Sequence, residues 1–147
     1  MPADEEVLSN TLHADPAFTH VGGTAENPPT NFCCDAIAIS GDGRFVAIGS
    51  MADSNAGSGV VRPPLSRTAP WTGAVYVYER KPDAWKPRNM IKANNPSYNQ
   101  RFGVGLSFSG DGKILAVAAQ QEDSGARGID GDQTDTSSTD SGAGWLY

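Results

Sequence analysis

Histidine and cysteine are scarce in this chain, and neither occurs where it could support a catalytic site. The two histidines, His13 and His20, both lie near the beginning of the sequence. Nucleophilic catalysis needs a base beside its nucleophile and a third group that orients the base, and no such set is evident. Cys33 and Cys34 are neighbours, and a disulfide between adjacent residues would be strained. The sequence therefore predicts a protein that is not an enzyme.

Long apolar segments are also lacking. No run is long enough to span a bilayer, and none repeats with a sustained helical period. The first six residues lack the basic start and apolar centre of a signal peptide, so the chain is either intracellular or part of a longer exported product. The 17 glycines and 10 prolines are spread along the chain, which favours short strands and tight turns.

Charge is distributed unevenly around a formal net value of -6. Residues 1–31 carry five acidic and no basic groups, residues 32–119 carry six acidic and ten basic groups, and residues 120–147 carry six acidic groups and one basic. A nucleic-acid surface would need clustered positive charge, so we expect no nucleic-acid partner. The acidic third block instead suggests a local cation site.

One pattern occurs twice at a fixed spacing. The turn Ser-Gly-Asp-Gly begins at Ser40 and again at Ser109, which is 109 − 40 = 69 residues later, and apolar runs flank both copies. The segments 73–78 and 142–147 match each other at the same spacing. Equal spacing at both ends implies two copies of one structural unit, with intervening loops of matching length.

Each unit reads as an antiparallel sheet. The residues 36–40 and 44–49 predict a hairpin, and the apolar runs at 45–48 and 114–118 predict sheets covered on both faces, because a half-exposed strand would alternate. A third strand is predicted at 74–80 and a fourth at 85–92. Proline and lysine in the fourth strand predict that it is outermost.

The residues 102–112 and 115–119 resemble the FG-GAP repeat of integrin α subunits and of many bacterial surface proteins. The resemblance implies an all-β fold of antiparallel four-stranded β-propeller blades, usually seven in the family. Here the propeller would be incomplete, because one full blade is followed by one that lacks its outer strand. The expected division is a leader of uncertain structure at 1–31, a first blade at 32–100 and a truncated second blade at 101–147. Cys33 and Cys34 stand where the second copy has Phe-Gly, so the first blade departs from the pattern.

The loop 120–141 is the one segment with a candidate metal site. Calcium takes several oxygen ligands, often at alternating positions of a flexible loop. Asp130, Asp132, Thr134 and Asp135 supply such oxygens, and the family often carries calcium in its loops. Two interpretations stay open, a calcium loop and a solvated loop. No other cofactor is expected, and the hairpin turns, with one aspartate each, are expected to bind no metal.

Two further groups of residues have alternative interpretations. The aromatic residues at matching strand positions predict packing between blades, with a sugar-binding platform as the alternative; they are Tyr76, Tyr78, Trp145 and Tyr147. Basic residues on or beside the fourth strand predict protection of a sheet edge, with binding of an acidic polymer as the alternative. This basic set comprises Arg80, Lys81, Lys86, Arg88 and Lys92.

The resemblance implies a non-enzymatic scaffold that binds protein or glycan ligands at the cell surface or outside the cell. A second hypothesis is an accessory propeller portion of a larger exported enzyme. A third is a short chain that assembles several copies into a ring. Because a ring needs more blades than two, we expect self-association or additional blades.

Overall fold

The computed structural model describes residues 35–61 and 68–147, which form eight β-strands and no helix. The predictions for the leader at 1–31 and for Cys33 and Cys34 lie outside the described residues. The strands are β1 (Ala36–Ile39), β2 (Phe45–Ser50), β3 (Gly59–Val61), β4 (Ala74–Arg80), β5 (Trp85–Lys92), β6 (Phe102–Phe108), β7 (Leu115–Ala119) and β8 (Ala143–Leu146). In the described part of the chain, no helix is long and apolar enough to cross a membrane.

The first sheet has the strand order β1-β2-β4-β5-β3, and all its neighbours are antiparallel. Its first hairpin closes on Ser40, whose hydroxyl donates to the Asp42 carboxylate at 2.6 Å and accepts from the Phe45 amide at 2.9 Å. The hydrogen bond from Ser40 is the main reason that the pKa of Asp42 is lowered. Ser109 and Asp111 repeat this bond at 2.7 Å, so the two turns of the sequence repeat fold alike.

One sequence prediction about this sheet is wrong. The fourth strand of the unit, β5, is not outermost, because β3 pairs with it through Met90, Ile91 and Lys92. β3 comes from the long connection between β2 and β4, and it covers only the second half of β5. The other half, with Pro87 and its exposed basic neighbours, extends beyond this pairing.

The second sheet contains β6, β7 and β8 in that order, again antiparallel. These three strands correspond to β1, β2 and β4 of the first sheet. The all-β class and the antiparallel pairing are therefore confirmed, and neither sheet closes on itself.

The two sheets share one hydrophobic core. The first sheet contributes its forward face, which we define as Ala47, Val75, Val77 and Ile91. The second contributes its back face, which we define as Phe102, Leu115, Val117 and Trp145. The Phe102 and Trp145 rings meet edge to face with centroids 5.3 Å apart, a favourable geometry for aromatic rings. The expectation of packing between the units is confirmed for Trp145 and for Tyr147, which packs against the same core. Tyr76 and Tyr78 instead lie in a separate cluster formed by residues of the first sheet.

Glycine permits the closest approach of the two sheets. A Cβ atom built on Gly49 of β2 would lie 1.9 Å from the Gly103 carbonyl oxygen of β6. A Cβ atom built on Gly41 would lie 2.4 Å from the Gly110 carbonyl oxygen, so the two hairpin turns also stack. Because real Cβ atoms do not approach a carbonyl so closely, these contacts require glycine.

The forward face of the second sheet differs from that of the first. The residues of the second sheet that correspond to Ala47, Val75 and Val77 are Ala116, Gly144 and Leu146. Of these, Leu146 is 74% exposed. The prediction that both apolar runs are covered on two faces therefore holds for β2 and is wrong for β7, whose Ala118 is exposed. Ala118 also stands where β2 has Gly49, so the close approach made by the first sheet cannot recur there.

A tyrosine hydroxyl fastens the second sheet to the first. Tyr147 donates to the Lys92 carbonyl oxygen at 2.8 Å, and burial raises the pKa of Tyr147 to about 12. Because this pKa is raised above the usual value of about 10, the contribution of Tyr147 to stability is complete below pH 10 and disappears towards pH 12.

We expect Tyr147→Phe to lower the free energy of unfolding by about 1 kcal/mol at pH 8, the usual net value of one hydrogen bond. The difference from the wild type should shrink as the pH rises from about 10 to about 12. Urea unfolding of both proteins at pH 8 and at two values above 10 measures it. A difference that stays constant over this range would contradict the role of the hydroxyl.

Candidate functional site

The most elaborate polar arrangement in the described residues is centred on a buried carboxylate. Asp53 follows β2 in a turn in which its amide donates to the Ser50 carbonyl oxygen at 3.2 Å. Its side chain then folds back and accepts from the amide of Asn55 at 2.9 Å and from the side-chain amide of Asn55 at 2.8 Å. This local pattern is typical of aspartate two residues before its donor.

Two strands add their own donors to Asp53. The Tyr76 hydroxyl of β4 donates to the carboxylate at 2.5 Å, and the Lys92 ammonium of β5 donates to it at 3.1 Å. Lys92 also donates to the Thr72 hydroxyl at 2.8 Å, and the Gly73 amide donates to the Asp53 carbonyl oxygen at 3.1 Å. The connection between β2 and β4 is thus fixed at both of its ends.

The charged groups of this network are buried, and burial shifts the pKa values of Lys92 and Tyr76. The side chains of Asp53 and Lys92 are both fully buried, and Tyr76 is 1% exposed. Burial lowers the pKa of Lys92, an effect that Asp53 opposes, and burial together with Asp53 raises the pKa of Tyr76. With its charged groups buried and hydrogen-bonded to one another, the arrangement holds the loop after β2 against β4 and β5.

The sequence interpretation of Lys92 was wrong. It was assigned to edge protection, but its side chain points into the protein and pairs with Asp53 across 39 residues of sequence. A signal for it was present, because Lys92 follows the apolar pair Met90-Ile91 and precedes Ala93, all of which are buried. A lysine inside such a run predicts a buried partner.

The second unit repeats the network with different residues. Glu122 stands 69 positions after Asp53 and is 2% exposed, and the Ser124 amide donates to its carboxylate at 3.0 Å as Asn55 does to Asp53. The Gly142 amide donates to the Glu122 carbonyl oxygen at 2.9 Å, which matches the bond of Gly73. The backbone arrangement is therefore the same in both copies.

The donors around Glu122 are all neutral. Its carboxylate accepts from the Ser124 hydroxyl and from the Asn95 side-chain amide, each at 2.8 Å. Among the described residues, no lysine, arginine or histidine forms an ion pair with it. Trp145 replaces Tyr76, and its buried indole N–H has no acceptor there. The Asn95 side-chain oxygen is also buried and has no donor.

The predicted calcium loop lies between β7 and β8. Asp130, Asp132, Thr134 and Asp135 are all exposed, and Asp132 accepts from the amide and the hydroxyl of Thr134 at 2.9 and 2.7 Å. These two bonds lower the pKa of Asp132. The Asp135 carboxylate accepts from the Ser137 amide at 3.0 Å. In the described part of the chain, no three carboxylate, imidazole or thiol groups converge on one point.

Calcium binding at 130–135 remains a prediction, with a measurable consequence. If the loop binds calcium, adding the ion at about ten times its Kd should raise the melting temperature by about 4 °C. The double variant Asp132→Asn/Asp135→Asn should lose the response, whereas Lys113→Met, a change in a hairpin turn, should keep it. A calorimetric titration of the wild type that gives neither heat nor a higher melting temperature would leave the solvated-loop interpretation.

The basic set is largely engaged within the protein. Glu79 accepts from Arg44, Lys81 and Arg88 at 3.4, 2.9 and 3.1 Å, and the bond from Lys81 is the main cause of its lowered pKa. Lys92 is buried against a different carboxylate. Exposed ion pairs of this kind contribute little to stability. Among the described residues, the members of the basic set without an ion pair are Arg80 and Lys86. Two unpaired cations provide little positive charge for binding an acidic polymer.

Comparisons with known proteins add no relative. A scan against protein-family models, a search of curated proteins and a search of solved structures each found no match.

Proposed function

We propose that the chain is a portion of a non-enzymatic repeat scaffold of the FG-GAP type, which binds a protein or glycan ligand at the cell surface or outside the cell. The blade arrangement, the location and the ligand class come from the resemblance of the repeated segments to that family. In this proposal the sheets are propeller blades, and the loops at their ends meet the ligand.

One observation carries the proposal: the forward face of the first sheet packs against the back face of the second. The two faces of this contact differ, as they do between stacked units of a repeat protein. The Asp53 network is buried and joins a loop to two strands, which also favours a structural role for the first unit.

The exposed loop between β7 and β8 is the part of the described chain best suited to a ligand. It contains five exposed or half-exposed acidic side chains and few apolar ones; they are Asp123, Asp130, Asp132, Asp135 and Asp140. Calcium at 130–135 belongs to this proposal as a prediction, because a bound cation would give a ligand carboxylate or hydroxyl a point of attachment.

The coding sequence on both sides of this chain provides the first test. Additional copies of the 69-residue unit in the same reading frame would support the scaffold, whereas a hydrolase or lyase domain would support the accessory portion of an exported enzyme. Light scattering tests the third hypothesis, since a folded monomer excludes assembly into a ring.

A direct binding test follows. The purified chain is immobilised and exposed to arrays of glycans and extracellular proteins, with and without calcium. A variant in which the acidic residues of the loop 123–140 are replaced by their amides serves as control. Saturable binding that the variant loses supports the proposal, and absence of binding to every member of both arrays opposes it.

A further inference from the structure

Among the described strands, β8 of the second unit has one edge without a partner, and this edge lies beside a buried carboxylate. β8 pairs with β7 on one side, and no described strand pairs with its other side. In the first unit the same side of β4 is occupied by β5, which brings Lys92 to Asp53. Glu122, the counterpart of Asp53, is buried without a cation among the described residues.

We propose that the free edge of β8 binds an extended strand that carries a lysine, and that this lysine pairs with Glu122. The inference deepens the proposed scaffold role and rests on it, because it treats the 69-residue unit as the structure that the added strand completes. The occupant is defined by its chemistry: an antiparallel strand with a cation at the position that Lys92 has in β5.

One unsatisfied acceptor and one carboxylate without a cation indicate a donor with more than one N–H group. Buried carboxylates are costly unless they are paired with a cation, and Glu122 has only neutral donors. The Asn95 side-chain oxygen belongs to the amide that donates to Glu122, and this oxygen is buried with no donor. A lysine ammonium has three N–H donors and can serve both, as Lys92 serves Asp53 and Thr72.

The register of the first unit predicts where the lysine would lie. Ile91 is opposite Val75 in the pairing of β5 with β4, which sets Lys92 opposite Ala74. Adding 69 residues places the lysine opposite Ala143, at the beginning of β8. Main-chain hydrogen bonds to an open edge supply affinity in such complexes, and a side-chain contact supplies selectivity.

A groove is present for the side chains of the added strand. It lies between the two sheets and is lined by Val60 and Ile91 of the first sheet and by Phe108, Leu115 and Tyr147 of the second unit. Val60 is 57% exposed, although it lies on the same side of the sheet as the shared core. An apolar residue two positions before the lysine, in the position of Met90, would cover it.

The edge is a better docking surface than the open forward face of the second sheet. On that face, Ala118 replaces the glycine that lets the first pair of sheets approach closely. A second copy stacked there in the same way would clash with the Ala118 methyl group.

A peptide of residues 83–94 of this chain is the probe, because it contains β5 and its lysine. Fluorescence anisotropy measures its binding to the intact protein, with two variant peptides of equal net charge, Lys92→Met and Lys86→Met. We expect saturable binding of the parent, about tenfold weaker binding of the Lys92→Met peptide, and little change for Lys86→Met. Equal weakening by both substitutions, or no saturable binding of the parent, would overturn the proposal.

The protein variant Glu122→Gln completes the test. In this variant the penalty for the Lys92→Met peptide should shrink from about tenfold to less than about threefold, because the buried charge that recognises the lysine is gone. A penalty as large as in the wild type would contradict pairing with Glu122. Circular dichroism establishes that the variant is folded.

Amide hydrogen exchange on the wild type gives a readout that needs no protein variant. The bound parent peptide should protect amides of β8. Protection confined to β4 would show that the peptide replaces the protein's own β5, and this result would overturn the proposal.

Sedimentation tests whether a second copy of the chain occupies the edge. If a dimer persists both with saturating peptide and in the Glu122→Gln variant, this result would count against the proposed strand. Failure of the peptide leaves the repeat scaffold standing, whereas a catalytic domain in the reading frame would overturn the scaffold and leave peptide binding unaffected.

Discussion

Replacing Asp53 by alanine should lower the free energy of unfolding by about 3–5 kcal/mol, because it leaves the Lys92 ammonium buried without its partner. Lys92→Met should cost a similar amount, since it leaves the carboxylate without a cation. Small domains have only about 5–15 kcal/mol to lose, so either change brings the chain close to unfolding. Urea unfolding followed by circular dichroism measures both.

The double variant Asp53→Asn/Lys92→Met distinguishes a paired network from two independent contacts. The asparagine oxygen can still accept from Tyr76, and neither member of the ion pair remains. We expect the double variant to be more stable than the sum of the effects of Asp53→Asn and Lys92→Met predicts, by about 2 kcal/mol or more. Additive effects would show that the pair is not coupled.

Lys113→Met is the matched control, because it removes a lysine whose ion pair is exposed. The Lys113 ammonium lies 3.7 Å from the Asp111 carboxylate, and 81% of its side chain is exposed. Exposed pairs contribute little, so this variant should unfold almost as the wild type does. The difference between the free energies of unfolding of the two lysine variants therefore reports the effect of burial and not the loss of a charge alone.

The strands were the part of this fold that the sequence could predict. The third and fourth strands, predicted at 74–80 and 85–92, are β4 and β5 with the same bounds. The ends of these strands are determined by local residues, because the polar and proline residues at 81–84 separate two apolar patterns. The turn at this point needs no contacts with the rest of the chain. Repetition then extends the same interpretation to β6, β7 and β8.

The features that the sequence did not reveal depend on contacts between distant segments. β3 has only three residues, Gly59–Val61, and pairs because β5 presents an edge to it. The ion pair of Asp53 with Lys92 joins a loop to a strand 39 residues away. The apolar neighbours of Lys92 predict that the lysine has a buried partner, but they do not identify Asp53 as that partner.

The calcium prediction illustrates a different limit. The spacing of Asp130, Asp132 and Asp135 fixes which residues share a loop, but not which way their carboxylates point. In the structure, Asp132 binds its own local donors. Loops of this composition can satisfy their carboxylates with nearby amides and hydroxyls, and sequence spacing alone does not separate this arrangement from a metal site.

The contact between the two sheets should fail when one hydrogen atom of Gly49 is replaced by a methyl group. The added Cβ atom would lie 1.9 Å from the Gly103 carbonyl oxygen, and both atoms belong to strand backbones that cannot rotate away. We expect Gly49→Ala to lower the free energy of unfolding by about 3 kcal/mol, the upper end for overpacking a core. Urea unfolding measures the loss, and a change below about 1 kcal/mol would show that the sheets can separate at little cost.

The two hairpin turns offer a pair of matched glycines that test the same contact. Gly41 and Gly110 hold equal positions in the two units, but a Cβ atom on Gly41 would lie 2.4 Å from the Gly110 carbonyl oxygen, whereas one on Gly110 would meet nothing within 4 Å. Gly41→Ala should therefore cost about 1–3 kcal/mol. Gly110→Ala should be neutral or stabilise by up to about 1 kcal/mol, because alanine restricts the unfolded chain and neither position has a positive φ. Since turn, sequence and substitution are the same, the difference between the two variants isolates the packing of one unit on the next. Equal effects would mean that the turns tolerate alanine for local reasons and that the units are not held together there.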